Sequence, residues 1–200
     1  MSHHLIKRFS SRERLVHWTN MFTFIVLALT GLGLYSQTFF GLTSIFGGVD
    51  MSRVIHHYAG LVFIATTFLI FFQWLKDYTA AGEDSLRDVI SSYVDHDHEG
   101  PPSGKLNAGQ KLFGFTVFGF SVILGLTGLA MWFPTVLGRG LQQWMYFLHN
   151  FVFILFMLLI VLHVYLGTVA SPGTWRGMSR GTVTKAWAKR HHGAWDGDEV

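Results

Sequence analysis

His149 and His163 lie fourteen residues apart in one long apolar stretch. At 3.6 residues per turn that spacing returns to nearly the same helix face, offset by about 40°, and at 1.5 Å per residue it separates the imidazoles by about 21 Å. One helix would present both rings on one side, at two depths of a bilayer. Imidazole is a standard axial ligand for haem iron. A helix with this spacing can supply one ligand to each of two stacked haems. Ionisable groups inside a membrane span are costly and point by default to function. Taken singly, such a histidine can instead be an interhelical hydrogen-bonding residue with no cofactor.

The elements that must position these rings follow from composition. Half of the 200 residues are hydrophobic and only 14% are charged. The apolar residues gather in runs long enough for the ~20 helical residues that a bilayer needs. The expected fold is an all-α integral membrane protein, a four-transmembrane-helix bundle in one domain over residues 1–200. Spans are expected at about 12–36, 52–78, 108–132 and 141–171, with a loop over 79–107 and a tail over 172–200. Ser10 and Glu13 fit a capping box before the first span. Pro134 and Pro172-Gly173 are ordinary stop signals. The N-terminal residues lack the short apolar core and small-residue cleavage site of a signal peptide, so the first run is expected to be a retained span. The length is expected to leave no room for a separate catalytic domain. No internal repeat is evident.

The chain has no cysteine. That excludes disulfides, Cys-ligated iron–sulfur clusters and c-type haem attachment within it, so any haem is non-covalent. The net charge of +3 comes from basic residues beside apolar runs. They read as topology signals, and no nucleic-acid partner is expected. Thirteen of the fifteen Lys and Arg flank the start of the first span, lie in the 79–107 region and its margins, or follow the fourth span; only Arg53 and Arg139 fall on the other side. Positive residues mark the cytoplasmic side. Both termini and the middle loop are therefore expected in the cytoplasm.

This orientation sorts the histidines by depth. His17 and His163 fall near the inner ends of spans one and four. His56 or His57 opens span two on the outer side, level with His149. Two pairs follow, His17 with His163 and His56 with His149, with His57 competing for the role of His56. Bis-His ligation leaves no open coordination position, so such haems would carry electrons. Gly31, Gly60 and the span-three glycines Gly114, Gly119, Gly125 and Gly128 could let a macrocycle approach backbone; close helix packing is the alternative. Arg53 could pair with an outer haem propionate or act as an interfacial anchor. His3, His4, His191 and His192 are expected to be solvated. His96 and His98 lie in an acidic loop that resembles a weak metal cluster but reads better as solvated. A short helix is expected around 85–93, and a basic amphipathic surface helix over 182–192. Asn107 and Gln110 fit a helix cap and capping box. Their amides could also hydrogen-bond a quinone carbonyl.

Together these residues resemble the cytochrome b (gamma) subunit of respiratory, membrane-bound formate dehydrogenase, across nearly the whole chain. The resemblance rests on Arg14-Leu-Val-His17-Trp18, Arg53-Val-Ile-His56, Asn107-Ala-Gly-Gln-Lys111, the His149/His163 spacing and the tail Lys185-Ala-Trp-Ala-Lys-Arg-His-His192. It implies two b haems, with His56 and His149 ligating the periplasmic one and His17 and His163 the cytoplasmic one. It implies a menaquinone site at the cytoplasmic haem using Asn107 and His163, and less directly Gly109 and Gln110. It implies an iron–sulfur (beta) subunit and a molybdenum or tungsten catalytic (alpha) subunit on the periplasmic side of a bacterial inner membrane. Formate would be oxidised there, not in this chain. A trimer of such heterotrimers is left open. Cytochromes of nickel–iron hydrogenases and thiosulfate reductases share the plan. A stand-alone di-haem quinol-oxidising cytochrome b and a haem-free anchor or transporter are further alternatives.

Overall fold

In a computed structural model of the chain, residues 4–80, 85–94 and 103–199 are described. The helices are α1 (Ser11–Tyr35), α2 (Val49–Gln73), α3 (Leu75–Thr79), α4 (Leu86–Val94), α5 (Ala108–Trp132), α6 (Arg139–Tyr165), α7 (Thr174–Arg180) and α8 (Lys185–His191). Two short strands, β1 (Leu5–Lys7) and β2 (Thr182–Thr184), complete the elements. Helices α1, α2, α5 and α6, the last with its π-helical continuation Leu166–Ala170, are long and apolar enough to cross a membrane. The protein is thus an all-α membrane fold. Their outward faces carry Phe22, Leu61, Leu126 and Leu158, all exposed. Helices apolar all round are what a lipid solvent selects.

Three of the expected spans agree with the helices to within a few residues. The second does not run unbroken to residue 78: α2 ends at Gln73 and α3 restarts after Trp74, whose backbone has φ −103° and ψ 9°. The Trp74 indole there donates to Glu13 Oε1 at 2.6 Å. A 3-10 helix over Gln37–Phe46 links α1 to α2. Gly47 and Gly48, at φ 87° and 98°, make the turn into α2 in a region that favours glycine.

The chain divides into two compact units. The first comprises residues 15–70 and 118–155. Asn20 Nδ2 knits α1 to α2, donating to Phe63 O at 3.2 Å and to the hydroxyls of Thr66 and Thr67 at 2.9 Å each. Phe24 meets Phe63, and Phe68 of α2 meets Phe118 of α5.

The second unit comprises the N-terminal residues to Arg14, residues 71–117 and residues 156 onward. The Ser10/Glu13 capping box forms as expected, with Ser10 N–H donating to Glu13 Oε2 at 2.7 Å and Glu13 N–H to Ser10 Oγ at 3.2 Å. Lys105 bridges Glu13 at 3.3 Å and Asp77 at 2.8 Å. One carboxylate therefore ties together the start of α1, the α2–α3 break and the segment before α5. Helix α4 forms where a short helix is expected.

The tail departs from expectation. Thr182–Thr184 is a strand, antiparallel to β1 with Ile6 opposite Val183. β-Branched Thr-Val-Thr suits a strand better than a helix. The helix is only Lys185–His191, capped by Thr184 Oγ1 on Trp187 N–H at 3.2 Å. Its apolar face packs on protein, as Ile6, Val183, Trp187 and Ala188 form one buried cluster. This pairing also buries His192, which is 1% exposed rather than solvated. His192 Nδ1–H donates to Gly104 O at 2.7 Å, and its Nε2 accepts from Arg8 at 3.1 Å. Burial, then the Arg8 charge, pushes the His192 pKa down to about 3. Burial, then Arg190 and Arg8, pushes His191 to about 4. His4 is exposed. His3, His96 and His98 lie outside the described residues.

Candidate functional site

In the first unit, α2 places His56 against Thr30 of α1. Thr30 is fully buried, and its Oγ1 is 2.8 Å from His56 Nδ1 and 2.7 Å from Val26 O. A hydroxyl has one proton to give and lone pairs to accept with. A carbonyl can only accept, so the Thr30 proton goes to Val26 O and Thr30 Oγ1 accepts from Nδ1–H. Nε2 then carries the bare lone pair. The arrangement recurs between α5 and α6: Thr127 Oγ1 is 2.7 Å from Ile123 O and 2.9 Å from His149 Nδ1.

The two rings, so prepared, lie together. Their centroids are 6.4 Å apart with planes at 62°. A metal lies about 2.0–2.1 Å from an imidazole nitrogen, and a ring centroid about 1.2 Å behind that nitrogen, so two axial imidazoles place their centroids roughly 6.4 Å apart. The observed separation fits one metal between two axial rings, and rotation about the shared axis permits any angle between planes. Glycine keeps each ring's edge clear. A Cβ on Gly31 would lie 3.2 Å from His56 Cε1, and one on Gly128 would lie 3.4 Å from His149 Cε1. Gly125 instead admits Ile64, and Gly114 admits the Tyr78 ring, so those two serve helix packing. Gly60 meets only Leu27, at an ordinary 3.9 Å.

The sequence reading missed both threonines, and the signal was present. Val26–Gly33 reads Val-Leu-Ala-Leu-Thr-Gly-Leu-Gly, and Ile123–Ala130 reads Ile-Leu-Gly-Leu-Thr-Gly-Leu-Ala. Five of eight positions are identical, so the chain does carry a short internal repeat. Each copy presents Thr-Gly to the histidine of the following long helix.

His57 takes a different neighbour, stacking on Trp132 with centroids 4.3 Å apart and planes at 25°. Arg53 is largely exposed and pairs with Asp50 one turn earlier, at 3.3 Å.

In the second unit, Asn107 caps α5. Gln110 N–H donates to Asn107 Oδ1 at 2.9 Å, and Asn107 N–H donates to Gln110 Oε1 at 3.1 Å. The capping box thus uses the two amide oxygens, and the two –NH2 groups take no part in it. Asn107 is 7% exposed, so its side chain is turned into the protein. Gly109 lies between them in the first turn of α5. One turn further on, Phe113 stacks on His163 with centroids 4.5 Å apart and planes at 11°. Asn107, Gly109, Gln110 and His163 therefore belong to one unit. His17, in the second turn of α1 beside Trp18, belongs to the other.

Residues 8–181 match the family described as prokaryotic cytochrome b561. The chain is 29% identical over 198 residues to the formate dehydrogenase cytochrome b556(fdo) subunit of Escherichia coli K12, covering 95% of this chain and 91% of that one. It is 26% identical over 196 residues to the nitrate-inducible formate dehydrogenase cytochrome b556(Fdn) subunit of the same strain, covering 96% and 90%. It is 30% identical over 202 residues to the formate dehydrogenase cytochrome b556 subunit of Haemophilus influenzae, covering 98% and 84%.

Proposed function

The chain belongs to the prokaryotic cytochrome b561 family, and from that premise we propose that it is the di-haem cytochrome b subunit of a formate dehydrogenase, carrying electrons to menaquinone. Similarity over nearly the full length to subunits of that name supports the assignment. The observation that carries it is the His56/His149 pair, 6.4 Å apart and each held through Nδ1 by a buried threonine. Two imidazoles with Nε2 available are the donor set of a bis-His haem b. His56 and His149 hold the outer haem; the resemblance to the formate dehydrogenase cytochrome implies His17 and His163 for the inner one. When bound, each haem supplies a one-electron couple that stays coordinatively closed.

This chain's own residues fix where the redox groups lie and receive the quinone. The Asn107 and Gln110 –NH2 groups are donors, which a quinone carbonyl requires, and using their oxygens as a cap costs them nothing. Their place at the α5 N-terminus, where the helix dipole is positive, favours the negative charge that builds on a quinone oxygen during reduction. Quinone reduction takes up two electrons and two protons. The distribution of Lys and Arg supports a cytoplasmic position for this end of α5, and with it proton uptake from that side. Both termini are cytoplasmic in the inner membrane. The iron–sulfur subunit and the molybdenum or tungsten subunit, where formate is oxidised, dock on the periplasmic side. A pyridine haemochrome assay on the purified complex tests the reading. Two b haems per copy of this chain are expected; one would remove a histidine pair, and none would sink the proposal.

A further inference from the structure

Thr30 and Thr127 are buried polar residues whose effect on the two histidines the electron-transfer reading leaves undetermined. A buried threonine in a helix is satisfied by back-bonding to the carbonyl one turn earlier. Thr23 and Thr66 do so while buried, with no histidine on the hydroxyl. Thr30 and Thr127 make the same back-bond while 0% and 2% exposed, and each oxygen also meets an imidazole Nδ1 at 2.8 and 2.9 Å. Each is followed by a glycine whose missing Cβ leaves room for that same ring. Each stands at the same place in the eight-residue repeat. Burial, hydrogen-bond direction, ring clearance and repetition agree at two independent positions.

We propose that Thr30 and Thr127 are positioning residues, which lock His56 and His149 as Nδ1–H tautomers and set how strongly their Nε2 atoms bind the outer haem iron. The proposal rests on the reading of those histidines as haem ligands. A metal-bound imidazole that donates its other N–H to an acceptor is oriented by it and made a stronger donor. The Thr hydroxyl is an acceptor here because its own proton is committed to Val26 O or Ile123 O. A stronger donor favours the oxidised iron. Removing the acceptor therefore makes the outer haem easier to reduce.

The test is a potentiometric titration of the b haems in the purified complex, with Thr30→Val and Thr127→Val each compared with the corresponding Ser variant. Valine keeps the shape and loses the acceptor; serine keeps the acceptor. In the Val variants one b-haem wave moves positive and the other stays. The shift is up to about a tenfold rise in the reduced-to-oxidised ratio at fixed potential, which is about 59 mV for one electron. The Ser variants titrate as wild type. Unmoved waves in the Val variants overturn the proposal, as do equal shifts in Val and Ser. If a Val complex fails to assemble, the Cys variant, with a weak acceptor of similar size, replaces it; an unmoved wave there overturns the proposal too. Absence of b haem from the wild-type complex would instead defeat the reading beneath it.

Discussion

His56 and His57 differ by one residue, or about 100° of helix, and that rotation gives them different neighbours. His56 lies 6.4 Å from His149 with Thr30 on its Nδ1, while His57 stacks on Trp132. His56→Ala should lose one of two b haems, and His57→Ala should keep both. The reverse pattern of haem content would transfer the ligand role to His57. Asn107 permits a sharper separation, between cap and donor. Asn107→Asp retains the oxygen that caps Gln110 N–H but loses the –NH2 group. Asn107→Ala loses both, and with the cap goes about 1 kcal/mol of stability. Both variants should slow menaquinone reduction while both haems remain reducible by formate. Only the Ala variant should also melt earlier. Wild-type quinone kinetics in Asn107→Asp would reduce Asn107 to a helix cap.

Among the elements, the tail is held through groups that protons can release. In the docked tail His192 and His191 are neutral, with pKa values pushed down to about 3 and about 4. A released tail titrates near the usual value of about 6.5. Below that pH the released tail binds protons that the docked tail refuses, so docking weakens as pH falls from about 6.5 toward 4. Above it, the two histidines contribute no pH dependence. Arg8 faces His192, its guanidinium 3.1 Å from His192 Nε2. Hydrogen exchange over 185–195, corrected for intrinsic rates, should quicken at pH 5.5 relative to pH 7.5. A flat profile would show that these histidines do not govern docking. None of this was legible in the sequence, because strands of three residues carry too little pattern and β1 meets a partner near the far end of the chain. The long helices were legible, since an apolar run of span length declares itself locally. So was the Asn107 cap, whose partners are three residues apart. The threonines were hidden for the opposite reason: the repeat around them is apolar throughout and looks like ordinary span, and only the packing of α1 on α2 and of α5 on α6 shows what it faces.

For the molecule as a whole, the proposed ligand levels and the charge distribution make a prediction about direction. The fourteen residues between His149 and His163 correspond to about 21 Å of helix rise, most of the ~30 Å hydrocarbon core. If formate is oxidised outside and quinone is reduced at the Asn107 end with protons from the cytoplasm, each electron crosses the membrane without a proton beside it. Two negative charges then move inward per formate. Each costs about 2.3 kcal/mol for every 100 mV of opposing potential, negative inside. Turnover should therefore be restrained by the potential it creates. In proteoliposomes with the complex oriented outward, formate and a menaquinone analogue should build a potential negative inside. Adding a potassium ionophore should collapse it and raise steady-state turnover. If quinone were instead reduced at the outer surface, electrons would return to the side they left, no potential would form, and the ionophore would leave the rate unchanged. That result would retain the His56/His149 site and remove the inner quinone pocket, so the same measurement separates the two ends of the chain.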